Sequence, residues 1–392
     1  MEKKDKNLNV PNLRFPEFSG EWEKELLGTT CNVLMCKRIL ASQTNAECGV
    51  PFYKIGTIGD APDAYISKEL FESYRAKYNY PRKGEVMITC AGTVGKAMIF
   101  DGEDSYYQDS NIVWIDNPTN KIDNTFLYHF ISKVDWSKLN TTTIVRIYND
   151  DLRQLRISYP TLSEQRKISI FLNLLNQRIE TQKKIIEDLK KLKDAICNLN
   201  VTSGSVLKLG NAGKFVRGLT YSASDVIEDT IGTAVMRSNN ISNGDPVNFE
   251  ELVWVNKTPN HEQILRSGDI VICMANGSSP LVGKASYYVD CGIESATVGA
   301  FCGIYRSDNP LTKWLFQSKH YKKHIQRCIQ GGNGAIANIY PEDILAISFN
   351  IPSGYERVLN ILNSLEDKYL LEQKLLCRYL AVKSHLLAQM FI

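Results

Sequence analysis

The amino-acid sequence predicts an α+β protein made of two similar strand-rich modules, each followed by a long amphipathic helix. Three observations support this fold class. The same segments recur in the same order about 190 residues apart, which indicates an internal duplication. Each copy contains short alternating apolar segments between Gly, Asn and Asp residues. Each copy also ends where the apolar period changes from about 2 to about 3.6, the change expected between a strand and a helix.

The clearest match between the copies joins Pro81–Ile88 (PRKGEVMI) to Leu265–Ile272 (LRSGDIVI). An identical Val-Gly-Lys-Ala follows in both, at 94–97 and 282–285. Several matches in one order are hard to obtain by chance, so we treat the two copies as equivalent modules.

Matches outside this anchor keep the same order. Upstream, Lys54 and Arg237 occupy matching places after an apolar segment. Downstream, Arg146–Leu152 parallels Asn338–Ile344. Within each copy, alternating segments such as Glu85–Thr89 predict short strands, and we expect a partly open β-barrel with a few helices. Short helices are predicted near 125–134 and 311–329.

Each copy ends in an apolar strand that stops at a proline, Pro160 or Pro352, and a helical stripe follows. The stripes predict a helix of about 35 residues within each of the ranges 161–200 and 353–392, without internal proline or glycine and on the order of 50 Å long. We expect them to pack as antiparallel coiled-coil arms related by a pseudo-twofold axis. Two unrelated core helices remain the alternative. The predicted domains are therefore 1–160, 161–200, 201–352 and 353–392.

Composition limits the remaining possibilities. With 392 residues, 43% hydrophobic and 23% charged, the chain can bury more than one core. A charged start without an apolar signal core, and the lack of a segment near the ~20 apolar residues of a membrane span, predict a cytoplasmic protein with no membrane partner. The ten cysteines form no Cys-x-x-Cys pair, so we interpret them as small buried apolar residues. The net charge of +3 neither requires nor excludes nucleic acid.

The motifs and their order resemble the specificity subunits of Type I restriction-modification systems. The resemblance rests on a Gly-Glu-Val or Gly-Asp-Ile strand, a Gly-Lys loop, an Ile-Tyr-x-x-Asp-Leu segment, a Pro-x-x-x-Glu-Gln junction and a long helix, with the module given twice. The opening Asn9–Pro16 is also similar to the lead-in of many members. The second copy lacks the Glu-Gln pair found at Glu164 and Gln165. Equal docking of partners by both arms is therefore not implied.

The resemblance implies what the parts do. The two modules would be target-recognition domains that bind a bipartite, asymmetric site on double-stranded DNA. The helices would bind two methyltransferase subunits, which methylate adenine with S-adenosylmethionine, and the complex would recruit restriction subunits that translocate DNA with ATP and Mg. The chain itself would bind no cofactor or metal and would contain no catalytic residue.

The candidate DNA-binding residues are of two kinds. Gly-Lys loops allow a close backbone approach to phosphates, and their lysines and hydroxyls can contact phosphate oxygens. Amide and guanidinium groups can form paired hydrogen bonds to base edges, and tyrosines can contact DNA or simply pack at a strand edge. The candidates are Lys54, Arg82, Thr93, Lys96, Gln108, Asn111, Arg146, Tyr148, Arg237, Asn239, Asn240, Asn276, Ser278, Ser279, Lys284, Asn333 and Tyr340.

Rival readings have weaker support. The segment Gly277–Lys284 has five residues between its glycines rather than the four of a P-loop, and Ala285 stands where Ser or Thr is needed. His320, His324 and Cys328 have helical spacing but no His-Glu-x-x-His motif, so exposed side chains are the simpler interpretation. The main alternative is a non-catalytic two-module adaptor that binds protein partners through coiled-coil arms.

Overall fold

A computed structural model describes residues 9–138, 146–198, 204–330 and 336–392. The chain divides into two compact units. Unit 1 contains residues 1–183 and 374–392, and unit 2 contains residues 184–373. Each unit therefore includes part of both long helices. The boundaries of the four domains expected from the sequence stay a prediction.

Unit 1 contains short strands and helices followed by the first part of a long helix. The strands are β1 (Glu23–Leu26), β2 (Asn32–Leu34), β3 (Thr44–Asn45), β4 (Val50–Tyr53), β5 (Tyr65–Ile66), β6 (Val86–Thr89), β7 (Ala97–Ile99), β8 (Tyr106–Tyr107), β9 (Ile112–Asp116) and β10 (Arg156–Tyr159). The helices are α1 (Leu27–Thr30), α2 (Lys68–Lys77), α3 (Asn124–Lys133), α4 (Asn149–Arg153) and α5 (Leu162–Cys197), the last of which continues into unit 2.

Unit 2 repeats this series and ends in the second long helix. Its strands are β11 (Ser205–Lys208), β12 (Lys214–Arg217), β13 (Val226–Ile227), β14 (Thr233–Met236), β15 (Val253–Val255), β16 (Ile270–Cys273), β17 (Ala275–Asn276), β18 (Ala285–Tyr287), β19 (Ala296–Val298), β20 (Cys302–Arg306), β21 (Ala337–Asn338) and β22 (Ser348–Ile351). Its helices are α6 (Leu209–Ala212), α7 (Thr312–Leu315), α8 (Lys319–Cys328), α9 (Pro341–Leu345) and α10 (Tyr355–Met390), which continues into unit 1.

The two units have the same topology in their main sheets. One four-stranded sheet has the order β2-β9-β6-β7 in unit 1 and β12-β20-β16-β18 in unit 2. The other has the order β3-β5-β4-β8 and β13-β15-β14-β19, with a parallel β4–β8 or β14–β19 pair at its edge. Each unit also contains a two-stranded pair, β1-β10 or β11-β22, and unit 2 has a further pair, β17-β21. The predicted α+β fold class and its internal repeat are therefore confirmed, with open sheets.

The central strands explain why each anchor segment ends in three successive apolar residues, Val86–Ile88 and Ile270–Ile272. In unit 1, Val86 and Ile88 of β6 belong to one core cluster and Met87 to another, so both faces of the strand are covered. In unit 2, Ile270 and Val271 of β16 likewise belong to different clusters. A strand buried on both faces needs apolar side chains at successive positions, and the alternation of a half-exposed strand disappears.

The glycine of each Val-Gly-Lys-Ala segment has a conformational role. Gly95 has a φ of +81° and Gly283 a φ of +78°, a region that favours glycine. The Gly95 amide donates to the Thr89 oxygen and the Gly283 amide to the Cys273 oxygen, both at 2.8 Å. Each acceptor is the last residue of the preceding central strand. The same hydrogen bond turns the chain at the same place in both units.

The long helices pair within each unit. In unit 1, Leu172 of α5 and Leu387 of α10 share a core cluster, and the Arg178 Nε donates to the Tyr379 hydroxyl at 3.1 Å. In unit 2, the Lys193 Nζ lies 3.2 Å from the Glu366 Oε2. In unit 1, the partners on α10 come earlier in the chain as those on α5 come later, so the paired segments there are antiparallel. No helix in the described part of the chain is long and apolar enough to cross a membrane.

The shorter predicted helices are close to the observed ones. The first, expected at 125–134, is α3. The second, expected at 311–329, is divided into α7 and α8, because the Ser318 hydroxyl caps a new helix by accepting from the Tyr321 amide at 3.2 Å.

The Glu-Gln junction at the start of α5 is buried inside unit 1. The Glu164 carboxylate receives two 2.7 Å hydrogen bonds from the Arg14 guanidinium. The Gln165 amide accepts from the Asp123 amide at 2.7 Å and donates to the Pro160 oxygen at 2.8 Å. This pair of residues fixes α5 to the strand-rich part of unit 1, because buried polar groups are stable only when hydrogen-bonded.

Candidate nucleic-acid interface

Several loops of unit 1 meet beyond the C-terminal end of β6. The Cys90 amide, just after β6, donates to the Asn111 oxygen at 2.7 Å, and the Ile147 amide donates to the Cys90 oxygen at 2.9 Å. The Gln108 amide donates to the Tyr53 oxygen at 2.9 Å, which joins the end of β8 to the end of β4. These backbone contacts bring together candidate residues from distant parts of the sequence.

A cavity of about 330 Å³, which we call cleft 1, lies at this end of unit 1. Its lining includes Arg38, Lys54, Gln108, Asp109 and Asn111. Amide, carboxylate and cationic groups therefore face the same space, and each of these types can form hydrogen bonds with base edges or phosphates.

The cations of cleft 1 and the neighbouring loop are paired with carboxylates. Nitrogen–oxygen distances are 2.7 Å for Arg38 to Asp109, 2.9 Å for Lys54 to Asp63 and 3.3 Å for Lys96 to Asp60. The Lys96 ammonium also donates to the Ile58 oxygen at 2.6 Å. Exposed pairs of this kind contribute only about 0–1 kcal/mol each, so a phosphate group can compete for the lysines.

Arg146 and Tyr148 form the rim of the same surface. The Arg146 Nη2 donates to the Ser110 oxygen at 3.4 Å, and its guanidinium carbon lies 5.8 Å from the centre of the Tyr148 ring. Tyr148 is 59% exposed, so its ring is not a packed strand-edge residue. Thr93 is exposed on the loop that carries Lys96, as a phosphate contact requires.

Arg82 lies away from the other candidates of unit 1. It precedes β6, whereas cleft 1 follows β6, and four residues at ~3.3 Å each separate the two ends. Arg82 lines a different cavity of about 430 Å³ with Arg75, Tyr78 and Lys83. Sequence reasoning grouped Arg82 with residues that the fold does not place beside it.

Unit 2 contains an equivalent cavity, cleft 2, of about 400 Å³. The backbone contacts match those of unit 1: the Gly299 amide donates to the Met236 oxygen at 2.9 Å, and the Ile339 amide to the Met274 oxygen at 2.9 Å. Arg237 and Asn276 line cleft 2, together with Phe301 and the small residues around it. Lys54 and Arg237 therefore occupy equivalent positions, as the sequence match predicted.

The other candidates of unit 2 differ in their availability. The Asn276 side chain donates to the Ser238 hydroxyl at 3.1 Å and accepts from the Ser278 amide at 2.9 Å. Asn239 and Ser278 are exposed, Ser279 and Lys284 are half-buried, and Tyr340 is 46% exposed. Asn333 lies outside the described residues.

Asn240 has a structural role. It is 1% exposed, and its amide nitrogen donates to the Asn248 oxygen at 3.0 Å and to the Glu250 oxygen at 2.8 Å. Its amide oxygen accepts from the Arg237 amide at 2.9 Å. With both ends of the amide engaged, Asn240 holds the loop that presents Arg237 rather than facing outward.

Sequence reasoning missed Arg38, Tyr221 and Phe301, all of which line a cleft. Phe301 is 64% exposed, which is unusual for a large aromatic side chain beside a cavity. A finer alignment of the two copies could have found it, because Phe301 and Asn111 both immediately precede the matched strands β20 and β9.

The histidine and cysteine side chains give no sign of a metal site. His320 packs edge-on to Phe349, and the His324 Nε2 lies 3.1 Å from the Asp343 oxygen. No group of three or more His, Cys, Asp and Glu side chains suited to a metal ion occurs in the described ranges. All ten thiols are free, but Cys48, Cys291 and Cys377 are exposed, so the prediction of uniformly buried cysteines is wrong for these three.

Buried thiols lie beneath both clefts. Burial raises the pKa of Cys90 to about 12 and also raises the pKa of Cys302. A thiol with a raised pKa is a poor nucleophile because little of it ionises at neutral pH. These cysteines therefore serve as core residues under the loops.

Comparison with known proteins gives consistent results. Residues 19–191 match the family model of the Type I restriction modification DNA specificity domain. A putative type I restriction enzyme specificity subunit, S.HindORF215P of Haemophilus influenzae, is 54% identical over 142 residues, which cover 36% of this chain and 37% of that protein. The EcoKI specificity subunit of Escherichia coli is 32% identical over 149 residues, 35% of this chain and 30% of that protein. The match therefore covers 37% or less of each of these relatives.

A solved structure matches over nearly the whole chain. The crystal structure of a Type-I restriction-modification system S subunit from M. genitalium superposes with a TM-score of 0.58 and 16% identity, covering 98% of this chain and 99% of that one. At this identity the likeness establishes the fold, including the second unit that the family model leaves unmatched.

Proposed function

We propose that the chain is the DNA-sequence-specificity subunit of a Type I restriction-modification complex, because residues 19–191 match the family model of the Type I restriction modification DNA specificity domain. It binds a bipartite, asymmetric site on double-stranded DNA through its two units. It also scaffolds two methyltransferase subunits and the restriction subunits of the complex. The chain supplies recognition, and the partner subunits supply the chemistry.

One observation carries this proposal: two units of the same topology present clefts at the same place but with different side chains. Cleft 1 is lined by charged and amide groups, whereas cleft 2 is lined mainly by small and aromatic residues. Equivalent positions favour equivalent roles in binding. Different linings favour different base sequences, because base edges are distinguished by their hydrogen-bonding and apolar groups. A split site with two unlike halves follows.

The side chains divide into two functional groups. Lys96 and Lys284, on matched loops, contact phosphates and set the position of each unit on the duplex. Lys54, Arg146 and Arg237, with the amides nearest to each cleft, approach base edges. Phosphate contacts contribute to affinity for every sequence, and base contacts decide between sequences.

The long helices provide the surfaces for partner subunits. In unit 1, exposed apolar side chains of α5 include Ile170 at 62% and Leu174 at 59%, one helical turn apart. Solvent-exposed apolar patches on a helix indicate binding to another protein. We assign these positions to a methyltransferase subunit, which supplies the S-adenosylmethionine site, and the restriction subunits supply the sites for ATP and Mg.

The proposal is tested with the full chain, assembled with its methyltransferase subunits and incubated with a pool of random-sequence duplexes. Selection of two short motifs with a fixed gap is the expected result. Binding without sequence preference, or no binding in the presence of these subunits, would instead favour an adaptor for protein partners and would refute the proposal.

Two substitutions in unit 2 separate the proposed roles. Lys284→Ala should weaken binding to all sequences alike and reduce the slope of log affinity against log salt by about 1. Arg237→Ala should relax one position in one half-site and leave the other half-site unchanged. Lys214→Ala is the matched control, because Lys214 is half-exposed, pairs with Glu262 and lies at the other end of the β12–β20 pair from cleft 2.

A further inference from the structure

Three of the polar side chains that line cleft 1 have no polar counterpart in cleft 2. The hydrogen bonds that close each cleft place Gly299 where unit 1 has Gln108, because each amide donates to the residue that ends the neighbouring parallel strand. The following residue is Ala300 in unit 2 and Asp109 in unit 1. The residue before the next strand is Phe301 in unit 2 and Asn111 in unit 1. Two amides and a carboxylate are thus replaced by a hydrogen, a methyl and a phenyl group.

The replacements leave an open apolar space. Phe301 is 64% exposed beside the cleft, and Ala275 and Cys302 continue the lining. A Cβ atom added to Gly277 would meet no atom within 4 Å, so this wall of the cleft is open. Contact between an apolar ring and water is unfavourable, so a ligand that covers the ring is stabilised by the burial of apolar surface.

Charge limits the kind of ligand. Among the described residues that line cleft 2, Arg237 is the charged one, and its guanidinium has no ion-pair partner in the described part of the chain. The equivalent Lys54 is paired with Asp63. The occupant of cleft 2 therefore combines an apolar group with a nearby acceptor for a guanidinium, as the major-groove edge of a base pair does.

The major groove displays one apolar group, the C5-methyl of thymine, among its donors and acceptors. We propose that cleft 2 binds the C5-methyl group of a thymine in its half-site, with Phe301 as the specificity-determining contact and Arg237 on an acceptor of an adjacent base edge. This inference rests on the proposed function and adds the base chemistry of one half-site. Cleft 1, with its amides and its carboxylate, reads its half-site by hydrogen bonds.

Replacing thymine by uracil tests the proposal directly, since uracil pairs identically but lacks the methyl group. The full chain with its methyltransferase subunits is bound to duplexes of its selected site in which each thymine is replaced in turn. At one or two positions of a single half-site, the wild-type complex should bind about fourfold more weakly, the effect of one lost buried methyl group. If no uracil weakens binding, the proposal is wrong, although selection of the split motif would leave the specificity function intact.

Two variants assign the effect to Phe301. Phe301→Asn introduces the residue of unit 1 and should bind thymine and uracil duplexes equally at the sensitive positions. Phe301→Leu keeps an apolar surface and should retain the preference for thymine. A preference that persists unchanged in the asparagine variant would overturn the assignment. If that variant fails to fold, circular dichroism will show it, and loss or retention of the preference in Phe301→Ser then decides the matter.

A phenyl ring can also unstack bases by acting as a wedge. Permanganate oxidises thymines that are unstacked, so it distinguishes the two modes. Under methyl binding, the sensitive thymine in the complex should react no more than in free duplex. A rise in reactivity that disappears in Phe301→Asn would show a wedge and refute methyl reading.

Discussion

Substituting Glu366 should destabilise unit 2 through the loss of a buried ion pair. The Glu366 Oε2 lies 3.2 Å from the Lys193 Nζ, with side-chain exposures of 2% and 3%. The other carboxylate oxygen accepts from the Tyr287 hydroxyl at 2.6 Å. One carboxylate thus joins α5, α10 and β18. In Glu366→Ala the Lys193 charge stays buried without this partner, which costs about 3–5 kcal/mol.

Smaller changes to the same network give a graded series. Tyr287→Phe keeps the ring and removes one hydrogen bond to a charged group, so unit 2 should lose about 1.5–3 kcal/mol. The triple variant Lys193→Met, Glu366→Leu and Tyr287→Phe replaces both charges by apolar groups of similar size and also removes the hydroxyl that would lose its acceptor. Such replacements are often neutral or stabilising, so its opening free energy should stay near that of the wild type.

Native-state hydrogen exchange followed by mass spectrometry measures these effects on the full chain. Peptides from 184–373 should lose protection in Glu366→Ala, while peptides from 9–138 serve as the internal reference. The reasoning is refuted if the triple variant is destabilised as much as Glu366→Ala. That result would mean that the loss of packing, and not an unpaired buried charge, destabilises unit 2 in Glu366→Ala.

Two further effects are expected. Burial lowers the pKa of His129 to about 4, while its Nε2 donates to the Asn173 Oδ1 at 3.0 Å. Since the unfolded chain binds this proton near pH 6.5, unit 1 should lose about 3 kcal/mol as the pH falls from 6.5 to 4, measured by hydrogen exchange, and His129→Gln should remove that dependence. Gly283→Ala should lower the free energy of unfolding by about 1–3 kcal/mol more than Gly268→Ala does, as measured by thermal or urea unfolding. Both glycines have a positive φ, but only a Cβ atom at position 283 would clash with Ile325. Equal losses in the two alanine variants would contradict the clash.

The sequence pattern was sufficient to predict the central strands and the long helices, because both follow from runs of nearby residues and from the internal repeat. The central strands were found because β6 and β16 contain the successive apolar residues Val86–Ile88 and Ile270–Cys273, and the repeat made the two assignments support each other. The long helices were found because their stripes are long and free of proline and glycine. Their observed limits, Leu162–Cys197 and Tyr355–Met390, lie within three residues of the expected ones.

The clefts depended on contacts that the sequence order does not reveal. Lys54, Gln108 and Asn111 face one space because backbone hydrogen bonds join the ends of β4, β8 and β6. Arg82 belongs to the same well-matched anchor segment but lies at the opposite end of its strand. Asn240 resembled a base reader by residue type, and its hydrogen bonds turn it inward.

The amino-acid sequence by itself determined the duplication, the fold class and the two amphipathic helices, because these follow from periodicity and from the burial of apolar side chains. Only the tertiary structure decided which polar side chains converge, and that Phe301 stands where the other unit has Asn111. The physical reason is that a cleft is formed by loops distant in the chain. Their meeting is fixed by strand pairing across tens of residues, and no short pattern encodes such pairing.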